Sequence, residues 1–114
     1  MKEGKIVLTT CPDIAVAHDI AEKLLEANLV ACVNLIPQMV SLYRWQGKIE
    51  QDQEVQLIIK TVERNIAAVE SLITSAHPYD VPEFLVVDIE SGSKAYLEWL
   101  HNETNLNVKT ELKD

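Results

Sequence analysis

Apolar residues along this chain switch between a two-residue and a helical period, and the switch points divide it into elements. Ile6-Val7-Leu8-Thr9-Thr10 is a short β-branched run and predicts a buried strand. Cys11-Pro12-Asp13 breaks it, and Asp13 can cap the next element. Ile14, Ala17, Ile20, Ala21, Leu24 and Leu25 then recur at helical spacing, with His18, Asp19, Glu22 and Lys23 outside the stripe. That pattern predicts an amphipathic helix against a core. Asn28, tolerant of left-handed backbone, ends it.

Val30 to Ile36 predicts a second strand, apolar on both faces except at Asn34. Pro37 interrupts the ladder, so a bulge or bend belongs there. Pairing resumes through Val40, Leu42 and Tyr43 to Trp45, and Gln46-Gly47 carries hairpin-turn chemistry. The return strand begins at Lys48-Ile49-Glu50, with Gln51-Asp52-Gln53 as a polar interruption. Val55, Leu57, Ile59 and Thr61 then alternate with Glu54, Gln56, Ile58 and Lys60 at strand period. A second amphipathic helix presents Ile66, Val69, Leu72, Ile73 and Ala76 on one side and stops at His77-Pro78. Phe84 to Ile89 predicts a central strand. Ser91-Gly92-Ser93 supplies a cap, and Tyr96, Trp99 and Leu100 mark the apolar face of a shorter third helix. Leu106, Val108, Thr110 and Leu112 alternate in a polar tail that fits an edge strand.

The order β-α-β-β-α-β plus a helix is an α+β, ferredoxin-like plan: two split βαβ units forming one antiparallel sheet with helices on one face. Val33, Leu35, Leu42, Ile58, Val86 and Ile89 cannot all face two short helices. The long hairpin is therefore expected to bury its far face against other subunits.

With 114 residues, the chain is read as a single domain spanning 1–114. Its formal net charge of -8 repels phosphate backbones, which argues against nucleic acid and anionic membranes as partners. No window approaches the roughly 20 apolar residues of a membrane span. The two cysteines, Cys11 and Cys32, form no Cys-x-x-Cys pair, so reduced thiols and a cytoplasmic location are expected.

Polar side chains with metal or binding chemistry are Cys32, Glu54, Lys60, His77, Tyr79, Asp80 and Glu83. His77-Pro78-Tyr79-Asp80-Val81-Pro82-Glu83 is the densest stretch. Its prolines bias His77 and Val81 toward extended backbone, which makes a stiff connector. One reading is a plain link from helix to strand; the other is a rigid wall holding an imidazole, a phenol and carboxylates at a binding site. As a metal site, His77 would join Glu54 or Glu83, with or without a thiolate such as Cys32, and imidazole with thiolate suits copper or zinc. The spacing matches no zinc finger, H-E-x-x-H helix or EF-hand loop. Cys11 and Cys32 are each read as buried inert thiols rather than ligands, Cys11 being nearer than Cys32 to the helix-start environment that activates cysteine. Tyr43, Trp45, Tyr79, Tyr96 and Trp99 suit either a cleft wall or an oligomer contact, with packing favoured for the two tryptophans. His18 and His101 fall on solvated helix faces. No nucleophile elbow or glycine-rich phosphate loop is present, so no catalytic residue is assigned and no enzyme is expected.

Several segments together carry a family resemblance. Ala31-Cys32-Val33-Asn34-Leu35-Ile36-Pro37, Ser41 through Glu50, Glu54-Val55, and Ile59-Lys60-Thr61 resemble the CutA divalent-cation tolerance proteins. So do His77-Pro78-Tyr79, Val81-Pro82-Glu83 and Tyr96-Leu97-Glu98-Trp99-Leu100, in order from Ile6 to about Glu103. The resemblance implies a homotrimer with sheets around a threefold axis, an architecture like that of PII signal proteins, and clefts between subunits. It implies that Cys32, Trp45, Glu54, Lys60, His77, Tyr79, Glu83, Tyr96 and Trp99 gather near those clefts. It further implies a non-enzymatic role in metal homeostasis with copper or another divalent cation bound, and no organic cofactor. The alternative is a PII-like sensor holding a small metabolite or a partner segment in the cleft, with Lys60 as an anion partner. Gln38 stands where glycine is common after Ile-Pro, so the bend there must accommodate a Cβ.

Overall fold

The computed structural model describes residues 3–104. Its elements are β1 (Gly4–Cys11), α1 (Ile14–Glu26), β2 (Cys32–Trp45), β3 (Lys48–Val62), α2 (Ile66–Ala76), β4 (Leu85–Asp88) and α3 (Lys94–Glu103), with a 3-10 turn at Glu63–Asn65. The strands form one sheet in the order β2-β3-β1-β4, every neighbour antiparallel, which is the split βαβ arrangement that the pattern predicts. The expected edge strand in 105–114 lies outside the described residues.

Local chemistry sets the boundaries. The Asp13 carboxylate accepts from the Val16 amide at 2.9 Å and starts α1. Asn28, at φ +58°, turns the chain out of it, and Leu29 N–H closes back on Leu24 C=O at 3.2 Å. Ser93 Oγ accepts from the Tyr96 amide and starts α3. His77, at ψ 138°, is already extended before Pro78 and stops α2. The hairpin turns on Gln46 (φ +50°) and Gly47 (φ +79°), two consecutive left-handed residues as a type I′ turn requires.

The break at Pro37 is a register shift between Ile36 and Met39, with Gln38 at φ +60°. The expected interruption at Gln51-Asp52-Gln53 is absent. These residues pair continuously with Leu42, Ser41 and Val40, because a hairpin arm exposed on both faces needs no apolar alternation. β4 is shorter than the predicted run, lacks Phe84 and Ile89, and lies at the sheet edge beside β1 rather than at its centre.

Val7, Leu57 and Ile59 from the sheet pack with Ile20, Leu24, Val69 and Ile73 from α1 and α2 to form the core. Ile14 and Leu25, at the margins of the α1 stripe, are exposed. β3 residues of the other parity look away from these helices. There α3 covers one end of the sheet, with Leu100 near Gly4 and Lys60 Nζ 5.9 Å from the Tyr96 ring centroid. Only Leu100 of the predicted α3 face is buried; Tyr96 and Trp99 are half exposed. Elsewhere on that face Ile36, Leu85 and Val87 stay bare within the protomer. By register Val40, Leu42 and Ile49 share the opposite face with the core residues of β3, but they lie on the hairpin arm beyond Val55 and are 57–71% exposed.

Candidate functional site

The connector after α2 folds back onto the long hairpin just beyond the point where β1 stops pairing with β3. β1 and β3 pair as far as Cys11 opposite Val55, so Glu54 is the first β3 residue without a β1 neighbour. Into that space comes Tyr79, whose hydroxyl donates to Glu54 Oε2 at 3.0 Å. The connector is anchored from behind by His77, which is 8% exposed. Its Nε2 lies 2.7 Å from the Thr10 carbonyl, which can only accept, so this nitrogen donates. Its Nδ1 accepts from the Tyr79 amide at 3.1 Å. Both ring nitrogens are thus engaged, and the imidazole centroid lies 4.7 Å from that of the Tyr79 ring.

Between connector and hairpin lies a groove of about 560 Å³. Three rings wall it: Tyr43 and Trp45 from β2, and Tyr79 from the connector. Asp52, Glu54, Asp80 and Glu83 add four carboxylates, and no Lys or Arg among the described residues lines it. Tyr43 donates its hydroxyl to Asp52, as Tyr79 does to Glu54. Burial, the Glu54 hydrogen bond and that carboxylate's charge push Tyr79 up to about 12. The Asp52 hydrogen bond, with some burial and the Asp52 charge, does the same for Tyr43. Both phenols therefore stay protonated and act as donors at neutral pH.

The candidate residues named from sequence fall into two groups on one sheet face. Trp45, Glu54, Tyr79 and Glu83 line the groove, with His77 directly behind it. Cys32 pairs with Lys60 across the β2–β3 ladder, and Lys60 reaches over Tyr96, whose ring is 5.3 Å from that of Trp99. Glu54 and Lys60 stand at opposite ends of the inner half of β3, about 20 Å apart at strand rise. Within one protomer Cys32 therefore cannot join His77 and Glu54 around one ion.

Trp45 and Trp99 are 56% and 41% exposed in the protomer, so each presents its ring outward, as either a cleft wall or an oligomer contact would. Cys11 is the buried, inert thiol expected: it is fully buried, and burial together with the charges of Asp13 and Glu54 raises it to about 11, so its place before α1 does not activate it. His101 is no bystander: its Nδ1 lies 2.6 Å from Glu3 Oε1, beside Arg64 on the same carboxylate. Asp52 lines the groove although its sequence neighbourhood read only as a polar interruption. The available signal was strand alternation, which sets it two residues from Glu54 on the same face.

This fold has close counterparts among solved structures. The model of the CutA1 divalent ion tolerance protein family matches residues 5–103. The chain belongs to the CutA family. It is 41% identical over 100 residues to the divalent-cation tolerance protein CutA of Thermus thermophilus, covering 88% of this chain and 97% of that one. Identity to mouse Protein CutA is 46% over 95 residues, 83% of this chain but only 54% of the mouse protein. The chain thus spans about half the length of that relative and 60% of the Xenopus laevis homologue. Among solved structures, CutA from Xylella fastidiosa superposes with a TM-score of 0.88 at 40% identity, covering 90% of this chain and 99% of the other. A CutA from Archaeoglobus fulgidus, described as periplasmic, gives 0.87 at 34% identity, with 90% of this chain and 99% of that one covered.

A resident metal finds a poor cage in the protomer. Among the described residues no three His, Cys, Asp or Glu side chains converge on a common point, and both nitrogens of His77 are taken. Nor is any helix among the described residues long and apolar enough to cross a membrane.

Proposed function

We propose that this member of the CutA family is a non-enzymatic homotrimer that binds divalent cations, copper included, and acts in the response to metal ions. The observation that carries the reading is an acidic groove built on a hairpin whose apolar surface is left bare. The groove supplies Glu54 and Glu83 as oxygen donors. The hairpin arm, with Leu42 at 65% and Ile49 at 71% exposure, needs cover that this chain's described residues do not give. Packing around a threefold axis would cover it and bring one protomer's Cys32–Lys60–Tyr96–Trp99 end near a neighbour's groove. A metal site shared in this way would gain a thiolate absent from a single groove. His77 would ligate only by exchanging the Tyr79 amide for the metal at Nδ1. The names of the relatives support cation tolerance, and the free thiols suit a reducing cytoplasm.

Sedimentation should return three times the protomer mass. Isothermal titration of copper(II) should show saturable binding that weakens in His77→Ala, Glu54→Gln and Cys32→Ser. A monomer, or affinity unchanged in all three variants, would refute the shared site.

The open groove favours a second reading, a PII-like sensor whose cleft holds a small metabolite. Its volume of about 560 Å³ falls within the range of roughly 300–1,000 Å³ usual for small-molecule sites.

A further inference from the structure

We infer that Lys60 of each protomer is a tethered counter-ion to a neighbour's groove, and that a divalent cation binds there only by displacing it. The inference rests on the shared-site reading above and names the regulation of that site.

Lys60 is a base left over at its end of the sheet. Around it, Lys5 pairs with Glu63 and Asp88, while Arg64 and His101 share Glu3. Lys60 is half-buried and has no carboxylate partner among the described residues. Its ammonium lies 5.9 Å from the Tyr96 ring centroid, a contact that offsets only part of the hydration lost. The groove of its own chain is out of reach, because Glu54 lies about 20 Å away along β3 at strand rise.

The groove is the complementary half. Glu54 and Glu83 are half-buried in it, and the described residues give it no basic side chain. Closing a subunit over carboxylates without a counter-charge is costly. The proposed packing carries the Cys32–Lys60–Tyr96–Trp99 end to this groove, so one contact supplies the missing charge to both sides. Opposite charges across such a contact also fix its register. Cys32 stands opposite Lys60 across the β2–β3 ladder, so the ammonium arrives beside the thiol that the shared site would use.

That position makes Lys60 a competitor of the metal ion. A dication entering among Glu54, Glu83 and Cys32 meets an ammonium already held there and must push it off toward Tyr96 or solvent. The coupling is reciprocal: what Lys60 takes from cation affinity, a bound cation takes from the Lys60 contact. Lys60 thus holds the metal-free trimer closed and sets the affinity at which a cation can open the pair.

The test uses the intact protein, with zinc(II) as a redox-silent probe, calorimetry for affinity and sedimentation for assembly. The wild-type trimer should bind zinc saturably. Lys60→Gln should bind it about fivefold or more tightly, and its trimer should dissociate more readily on dilution. Lys60→Arg, which keeps the charge, should show no gain in affinity. Lys23→Gln, which removes an equal charge from the exposed face of α1, should show none either. A second readout needs no variant: brief acetylation of the wild type, followed by peptide mapping, should modify Lys60 slowly without zinc and faster with it, relative to Lys23. A Lys60→Gln trimer whose zinc affinity is unchanged or weaker, or an equal gain in Lys23→Gln, would overturn the inference and leave the shared site standing. Acetylation of Lys60 that zinc does not change would overturn it as well. A monomeric wild type, or one that binds no zinc, would bring down the shared-site reading and the inference with it.

Discussion

The hydroxyl of Tyr79 donates to the carboxylate of Glu54 across 3.0 Å, joining the proline-framed connector to the third strand where β1 ends. Two segments 25 residues apart in sequence thereby form the two walls of one groove. On the other side of the same tyrosine, its amide is held by His77, so the connector is clamped at its backbone and at its side chain.

Tyr79→Phe should lower stability by roughly 1 kcal/mol, the usual net value of one hydrogen bond. In a double-mutant cycle with Glu54→Gln, thermal melts should show coupling of the same order. Additive losses would mean that the bond contributes nothing.

The tyrosine contribution also has a pH signature. A phenol near 12 in the folded protein and about 10 when unfolded is protonated in both states below about pH 10. Its stabilising effect is therefore complete below about pH 10 and is lost as pH rises toward 12. Ultraviolet titration should show Tyr43 and Tyr79 ionising near 12. In Tyr79→Phe the fall in stability over that window should be shallower.

At the bulge, Gln38 holds left-handed backbone at φ +60° with an exposed side chain. Such a conformation costs a residue with a Cβ roughly 1–2 kcal/mol, more than the added chain entropy of glycine. Gln38→Gly should raise the melting temperature, by an amount equivalent to about 0.5–1 kcal/mol. The opposite change at φ +79°, Gly47→Ala, should lower it, although no atom beyond its adjacent residues lies within 4 Å of the added methyl.

The two thiols should separate cleanly. Cys11 is fully buried and raised to about 11, whereas Cys32 is partly exposed. With a thiol-labelling disulfide at about pH 8, below the ordinary thiol range, the native protein should show Cys11 protected until denaturant is added. Peptide mapping of labelled Cys11 in native protein would contradict its burial.

Glu3 couples the first strand to the last helix. Burial pushes its carboxyl up, but hydrogen bonds from Arg64 and His101 outweigh that and hold it below the ordinary value of 4.5. Its stabilising effect is present above about pH 4.5 and is lost as pH falls through the lowered value. Glu3→Gln should cost less than about 1 kcal/mol at neutral pH, as for other partly exposed ion pairs. In acid melts the gap between this variant and the wild type should close as pH drops below 4.5.

Periodicity alone determined the order of elements, the capping of α1 by Asp13, the bulge after Pro37 and the turn at Gln46-Gly47. Each depends on the backbone preferences of a few adjacent residues, which a linear pattern records directly. It also exposed a surplus of apolar surface on the hairpin. Only the tertiary structure decided which polar residues meet. It put Tyr79 on Glu54, set Tyr43 and Asp52 beside them, and left Lys60, with Cys32 opposite it on β2, about 20 Å away from Glu54 along β3. It likewise turned His77 inward to Thr10 and brought His101 to Glu3. These meetings depend on strand register and on the length of pairing between β1 and β3, which are long-range properties. No window of neighbouring residues contains them.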